Sequence, residues 1–228
     1  MTIAHTNGAT NGATSSSWST GVHGITINDG DLVVIVSNAN GAGHTFEVEA
    51  GFTDVVTDGI GGGESNTYNI QYLVAGGSEP TSYSGTISSS QLVTTIINVF
   101  TSTTGWATPA LDAGPTLNAE ESSASNAHLN TGITVADNSV AIATFFEDGG
   151  SGQANAVDNS YGGIESAVSG RTTATAFRIF TTGGATGDTT ITSDNPTRLW
   201  HTQHLSFKES AGGGATEEHF LMTLGVGQ

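Results

Sequence analysis

The chain has no cysteine among its 228 residues. That excludes a disulfide framework, a thiolate metal site and a cysteine nucleophile. Stability must come from packing and strand pairing, or from neighbouring subunits. Cations are nearly as scarce: four Lys and Arg face 21 Asp and Glu, a formal net charge of −17. Such a field repels polyanions, so neither nucleic acid nor an anionic membrane surface is an expected partner. The dispersed carboxylates are read as keeping the surface soluble. No apolar run approaches the roughly 20 residues that span a bilayer, so no membrane insertion is expected. The opening MTIAHTNGATNG has neither a basic region nor an apolar segment. It does not read as a secretory signal, so synthesis in the cytoplasm is expected.

The chemical motifs with a fixed spacing are missing too. There is no GxSxG, no P-loop, no dinucleotide fingerprint and no HExxH. His201 and His204 lie three apart on a predicted strand, face opposite sides and make a poor metal clip. His23, His44 and His128 are isolated. Asn28-Asp29-Gly30-Asp31 resembles the start of a calcium loop but lacks the downstream bidentate Glu, and is read as a turn. Glu120-Glu121 and Glu147-Asp148 are adjacent carboxylates that point to opposite faces of a strand and are read as solvated loop acids. A glycosidase would need two carboxyls about 5–10 Å apart from distant segments. No catalytic residue, metal ligand or cofactor is assigned. Trp18, Trp106 and Trp200, with Tyr68, Tyr72, Tyr83 and Tyr161, are of a type that stacks sugars, but core or interface is their expected place.

What is present is turn-forming sequence around short apolar runs. Glycine makes up 32 of the 228 residues, far above the usual share of about 7%. Gly, Ser, Thr and Asn separate strand-length runs of Val, Ile and Thr, the pattern of sandwiches and barrels. The organising stretch is residues 24–36, GITINDGDLVVIV, where Asp-Gly between two β-prone runs signals a hairpin. The design recurs at residues 132–144, GITVADNSVAIAT, an offset of 108. Residues 68–75 lead into Gly76-Gly77 as residues 175–182 lead into Gly183-Gly184, and the apolar run 92–100 matches 199–207, both at an offset of 107.

The expected fold is therefore all-β: an antiparallel, jelly-roll-like β-sandwich of roughly ten to twelve strands over residues 20–208, with duplicated halves at about 22–101 and 130–208. One sandwich is favoured over two small tandem domains, because neither half is rich in apolar residues alone. Residues 44–50 are expected as a strand with Phe46 and Val48 on one face. Residues 83–88 and 92–101 are expected as two further strands. Residues 102–131 are expected as a long irregular connection with short strands near 115–118 and 122–126. Residues 1–19 read as an extended arm or edge strand anchored by Ile3 and Trp18. Residues 209–228 read as a tail in which Gly212-Gly213-Gly214 is a spacer before apolar HFLMTLGVG.

Four pieces carry a resemblance: Gly30-Asp31-Leu32-Val33-Val34, Gly51-Phe52-Thr53, Tyr72-Leu73-Val74-Ala75, and Glu79-Pro80 with Tyr83. In this order they resemble a widespread class of phage virion proteins of the minor-tail and tail-fibre type, over about residues 22–150. The chain departs from that pattern at Phe100-Thr101, where the class has a glycine after the buried strand. The resemblance implies a non-enzymatic β-sandwich on the virion exterior, tail-associated and in contact with a host surface. Its implied partners are other virion proteins, further copies of itself and a host surface glycan. The motifs are structural, so they transfer no functional residues. Candidate assembly contacts come instead from the two ends: Ile3 and Trp18 in the arm, and Phe220, Leu221, Met222 and Leu224 in the tail. Alternatives are a capsid decoration or cement protein bracing the head, a carbohydrate-binding module and, least supported, a glycan hydrolase acting through an acid such as Glu147.

Overall fold

The computed structural model describes residues 3–60, 66–120, 126–148, 153–194 and 199–211. Within these the chain is all-β. Its strands are β1 (Ile3–Ser19), β2 (Leu32–Asn40), β3 (Thr53–Ile60), β4 (Asn66–Val74), β5 (Ser84–Ser102), β6 (Trp106–Glu120), β7 (Ala127–Asn130) and β8 (Thr134–Val135). They continue as β9 (Ser139–Glu147), β10 (Ala154–Val157), β11 (Gly162–Val168), β12 (Thr172–Phe180), β13 (Gly184–Ala185), β14 (Thr189–Ser193) and β15 (Trp200–Glu209).

The continuous apolar runs explain the layering. β2 is buried from Leu32 to Ala39 and β9 along its whole length. A strand buried on both faces needs a layer on each side, and each run sits in the middle of a five-stranded antiparallel sheet. The first sheet has the order β1-β5-β2-β4-β3, the second β6-β15-β9-β12-β11. Replacing each strand of the first by its counterpart about a hundred residues later yields the second. The duplication read from residues 24–36 and 132–144 is thus a duplication of topology.

The two sheets pack face to face. Leu32, Val34, Val36, Ile70, Tyr72 and Phe100 of the first meet Val140, Ile142, Phe146, Leu205 and Phe207 of the second. The alternate residues point outward under a cover. Val33, Ile35, Ile97 and Val99 lie beneath Trp18, Ile25, Phe46 and Tyr83. Ala141, Ala143, Phe145, Ala174 and Ala176 lie beneath Ile133, Ala154, Tyr161 and Ile191, which come in part from a small sheet β10-β14-β7.

Several local expectations are corrected. Residues 24–27 form no strand; the expected hairpin is a turn alone. Asp31 N–H donates to Asn28 O at 3.1 Å, Asn28 N–H donates to Asp31 Oδ2 at 2.7 Å, and Gly30 takes φ +82°. The reason is that both edges of β2 are already taken by β4 and β5, so Ile25 packs over the sheet instead of beside it. Residues 44–50 likewise form a covering segment rather than a strand, with one isolated β-bridge, Phe46 to Ile87, and further hydrogen bonds between Glu47 and both Thr86 and Trp18. The two strands expected at 83–88 and 92–101 are one, β5. The irregular connection at 102–131 is largely β6, whose Pro109 and Pro115 lack an N–H. Proline fits because β6 is an edge strand, the position the order of the second sheet gives it. The second short strand expected near 122–126 lies almost wholly outside the described residues; β7 begins just beyond it.

The arm at residues 3–19 is the edge strand β1, paired with β5 from Ile3 to Ser19. It crosses over β11 at close range through two glycines. A Cβ on Gly8 would meet the Glu165 side chain at 2.7 Å, and one on Gly12 would meet Ser169 Cβ at 2.5 Å. Gly12→Val is therefore expected to lower stability to urea by about 1–3 kcal/mol through overpacking. Gly76→Ala, at a position with open space, should change it by less than about 0.5 kcal/mol. Equal midpoints for both variants would remove the case for close approach.

Candidate functional site

The space between the two sheets is a seam of two characters. Its lower end, at the starts of β2 and β9, is apolar. Its upper end, where β2 and β9 finish, is polar and as deeply buried. Alternation puts Asn38 and Asn40 of β2, Thr94 and Asn98 of β5, Thr173 and Thr175 of β12, and His201 and Gln203 of β15 on the facing sides.

These side chains bond across the seam. Asn38 Nδ2 donates to Glu147 O at 3.3 Å and Thr172 O at 3.2 Å. The hydroxyls of Thr94 and Thr173 lie 2.6 Å apart. Asn98 Nδ2 donates to Thr175 Oγ1 at 2.9 Å, and Gln203 Nε2 donates to Tyr68 OH at 2.6 Å. Arg171 pairs with Asp148 and also donates to Asn40 Oδ1 of the other half. The Tyr68 ring stacks on Phe146 at 4.4 Å and meets His201 edge-on at 5.0 Å. Burial pushes the Tyr68 phenol up and the His201 imidazole down to about 4, the latter against a nearby Asp58 that favours its charged form. Chemically this is a lock. Each bond is satisfied only when the halves sit in one register, because a buried polar group without its partner costs about 1–3 kcal/mol.

The acids are placed differently from the reading of solvated loop groups. Glu147 and Asp148 are each 1% exposed. The end of β9 lies between layers, and Asp148 needs the Arg171 guanidinium to be tolerated there. The one sign of this in the sequence is Arg171 itself, a rare cation set between Gly170 and a Thr-rich strand. The side chains of Glu120 and Glu121 lie outside the described residues. His201 and His204 do face opposite sides: His204 turns away from the seam to Tyr161 OH and Thr131 O. His128 is buried between Phe145 and Trp200, both at 4.7 Å, and burial lowers it to about 4. His44 lies beside Ser88 and Ser89, and His23 stacks on Tyr83. Among the described residues, no three His, Asp or Glu side chains are grouped to hold a metal.

The tryptophans are core. Trp18 is fully buried, with Nε1 donating to Glu47 O at 2.9 Å; Trp106 and Trp200 are 5% and 3% exposed. None of the three offers an open face for a sugar. Of the six candidate assembly contacts, Ile3 packs into the seam and Trp18 into the outer cover of the first sheet. Phe220, Leu221, Met222 and Leu224 lie outside the described residues.

Sequence reasoning missed a surface at the lower end of the seam. There the start of β3 and the end of β4 face the start of β6 across a groove of about 220 Å³, walled by Tyr72, Leu73, Val74, Ala107, Pro109 and Ala110. Val74 is 39% exposed, one of four large apolar side chains left open among the described residues. No family model, curated protein or solved structure matches this chain.

Proposed function

We propose that this chain is a non-enzymatic structural protein of a bacteriophage virion, exposed on the particle and associated with its tail. The observation that carries the reading is the use made of the ionisable side chains. The chain has no Lys or Arg before residue 171, and each cation described is engaged in structure. Arg171 bridges the halves, Arg178 lies over the Phe180 ring at 4.5 Å and donates to Asn159, and Lys208 pairs with Asp112 at 3.1 Å. Asp148, His128 and His201 are likewise buried within the packing. Residues of the types that do chemistry are built into the packing, Arg171 and His201 of them across the seam between the sheets, which suits a rigid building block. The motif resemblance over residues 22–150 supplies the virion, and the open edges of β1, β3, β6 and β11 supply places for neighbours, other copies included.

Immunogold labelling of purified particles, with antibody raised against the folded chain, tests the placement. Gold on the tail supports the reading. Gold on the head moves the chain to decoration of the capsid. Particles that carry no label and no peptide of this chain by mass spectrometry would overturn it.

A further inference from the structure

The sequence holds three Asn-Gly steps: Asn7-Gly8, Asn11-Gly12 and Asn40-Gly41. Glycine has no Cβ to shield its backbone nitrogen, and that nitrogen can attack the side-chain amide of the residue before it. The first two steps lie inside β1, which is paired with β5 along its length. There Gly8 N–H donates to Asn7 Oδ1 at 2.9 Å, and Asn11 Nδ2 donates to Ser19 O at 2.9 Å.

Asn40-Gly41 is placed differently. It stands where β2 ends, at the top of the seam, and groups from two other parts of the chain meet it there. Asn40 Oδ1 accepts a hydrogen bond from Arg171 of the other half. A guanidinium keeps its charge, and on an amide oxygen it is already in position for the negative charge that forms there when Cγ is attacked. Gly41 takes φ +90° beyond the end of the strand, and among the described residues its N–H has no acceptor. The His44 ring lies against it: a Cβ on Gly41 would meet His44 Nε2 at 2.5 Å. The other ring nitrogen, Nδ1, is 3.3 Å from Ser88 Oγ and 3.2 Å from Ser89 Oγ. With the ring proton on Nδ1, donated to a serine oxygen, Nε2 is a base. Thr67 Oγ1 holds the two residues together, donating to Gly41 O at 2.8 Å and accepting from His44 N–H at 3.2 Å.

We infer that Asn40-Gly41 is a self-modifying site, at which the folded chain converts Asn40 to aspartate through a succinimide. Gly41 N attacks Asn40 Cγ, and the N–Cγ bond forms as His44 Nε2 takes the backbone amide proton. Arg171 stabilises the charge on Oδ1. The tetrahedral centre then breaks its Cγ–Nδ2 bond, and Nδ2 leaves with that proton as ammonia. Water opens the five-membered ring at either carbonyl, which yields aspartate or isoaspartate at position 40. The aspartate product gives Arg171 a carboxylate on each half, a charge-assisted tie across the seam in place of an amide oxygen. The site stands independently of the virion reading.

Peptide mapping by mass spectrometry of the full-length chain, incubated at mildly alkaline pH, reads all three steps at once. In the folded chain Asn40 is expected to be modified at least about ten-fold faster than Asn7 and Asn11, and His44→Gln and Arg171→Lys should each slow Asn40 at least about five-fold. In urea the three steps should react alike and neither variant should matter, which separates placement from local sequence. Circular dichroism establishes that both variants are folded, and a loosened fold would register as faster reaction at Asn7 and Asn11. An Asn40 no faster than the other two in the folded chain would overturn the inference. An Asn40 rate unchanged in either variant would overturn it as well, by removing the altered group from the reaction.

Discussion

Arg171→Met is expected to lower stability to urea by about 3–5 kcal/mol, the usual cost of removing one partner from a buried ion pair. Asp148 stays behind with a side chain 2% exposed, and Asn40 Oδ1, on the other half, loses its donor. The loss comes from stranding a charge, not from the intrinsic worth of the pair, so removing the second charge should restore much of it. Arg171→Met with Asp148→Leu is expected to recover more than half of the single variant's loss. Arg171→Lys should fall in between, because an ammonium keeps the charge but cannot fork between Asp148 and Asn40. If Arg171→Met unfolds within about 1 kcal/mol of the wild type, the upper seam is not a lock. The m-value adds a second readout. Halves held in register should unfold as one unit with one m-value, whereas a split transition would show that each half folds alone.

The sandwich was legible because its signals are local and periodic. Val33 and Val34 on β2, and Ala141 and Ile142 on β9, stand in runs with no polar break, and such runs belong between two layers. The repeat at residues 24 and 132 was legible for the same reason. Misreadings arose where tertiary placement overrides local sequence. Asn28 to Asp31 is a turn in both readings, but the segment before it pairs with nothing, since β2 already has two neighbours. Pro109 and Pro115 read as breakers, yet an edge strand accommodates both. The upper seam was not legible at all. Asn38, Thr94, Asn98, Thr173 and Gln203 look like ordinary surface polar residues on alternating strands. Only the facing of two sheets, a relation between residues 77 to 135 positions apart, makes them buried partners. Asp148 was missed because its partner Arg171 lies beyond both β10 and β11, outside any periodicity.

Acidification from pH 7 to pH 4 is expected to cost the wild type about 3 kcal/mol more than it costs His201→Phe. In the folded chain His201 is 1% exposed, packed on Tyr68, and neither ring nitrogen has a hydrogen-bond partner among the described residues. Burial lowers it from 6.5 to about 4. The unfolded chain takes up the proton near 6.5, and the folded chain does so only near 4. Across that window the unfolded state binds more protons, so stability is whole above about pH 6.5 and falls as pH drops toward 4. Other groups titrate in the same range. His128 falls to about 4 by burial and acts in the same direction. Burial raises Glu165, which then favours the folded state as it gains its proton, and the net charge of −17 relaxes on acidification with the same sign. The wild-type curve alone therefore has no simple slope, but the difference from His201→Phe cancels every term except His201. Phenylalanine keeps the ring against Tyr68 and leaves no hydrogen bond unmade, so the two proteins should agree within about 1 kcal/mol at pH 7. They should then diverge in favour of the variant as the pH falls. Parallel curves from pH 7 to pH 4 would mean that His201 takes its proton at its ordinary pKa, and that the upper seam opens to water without unfolding.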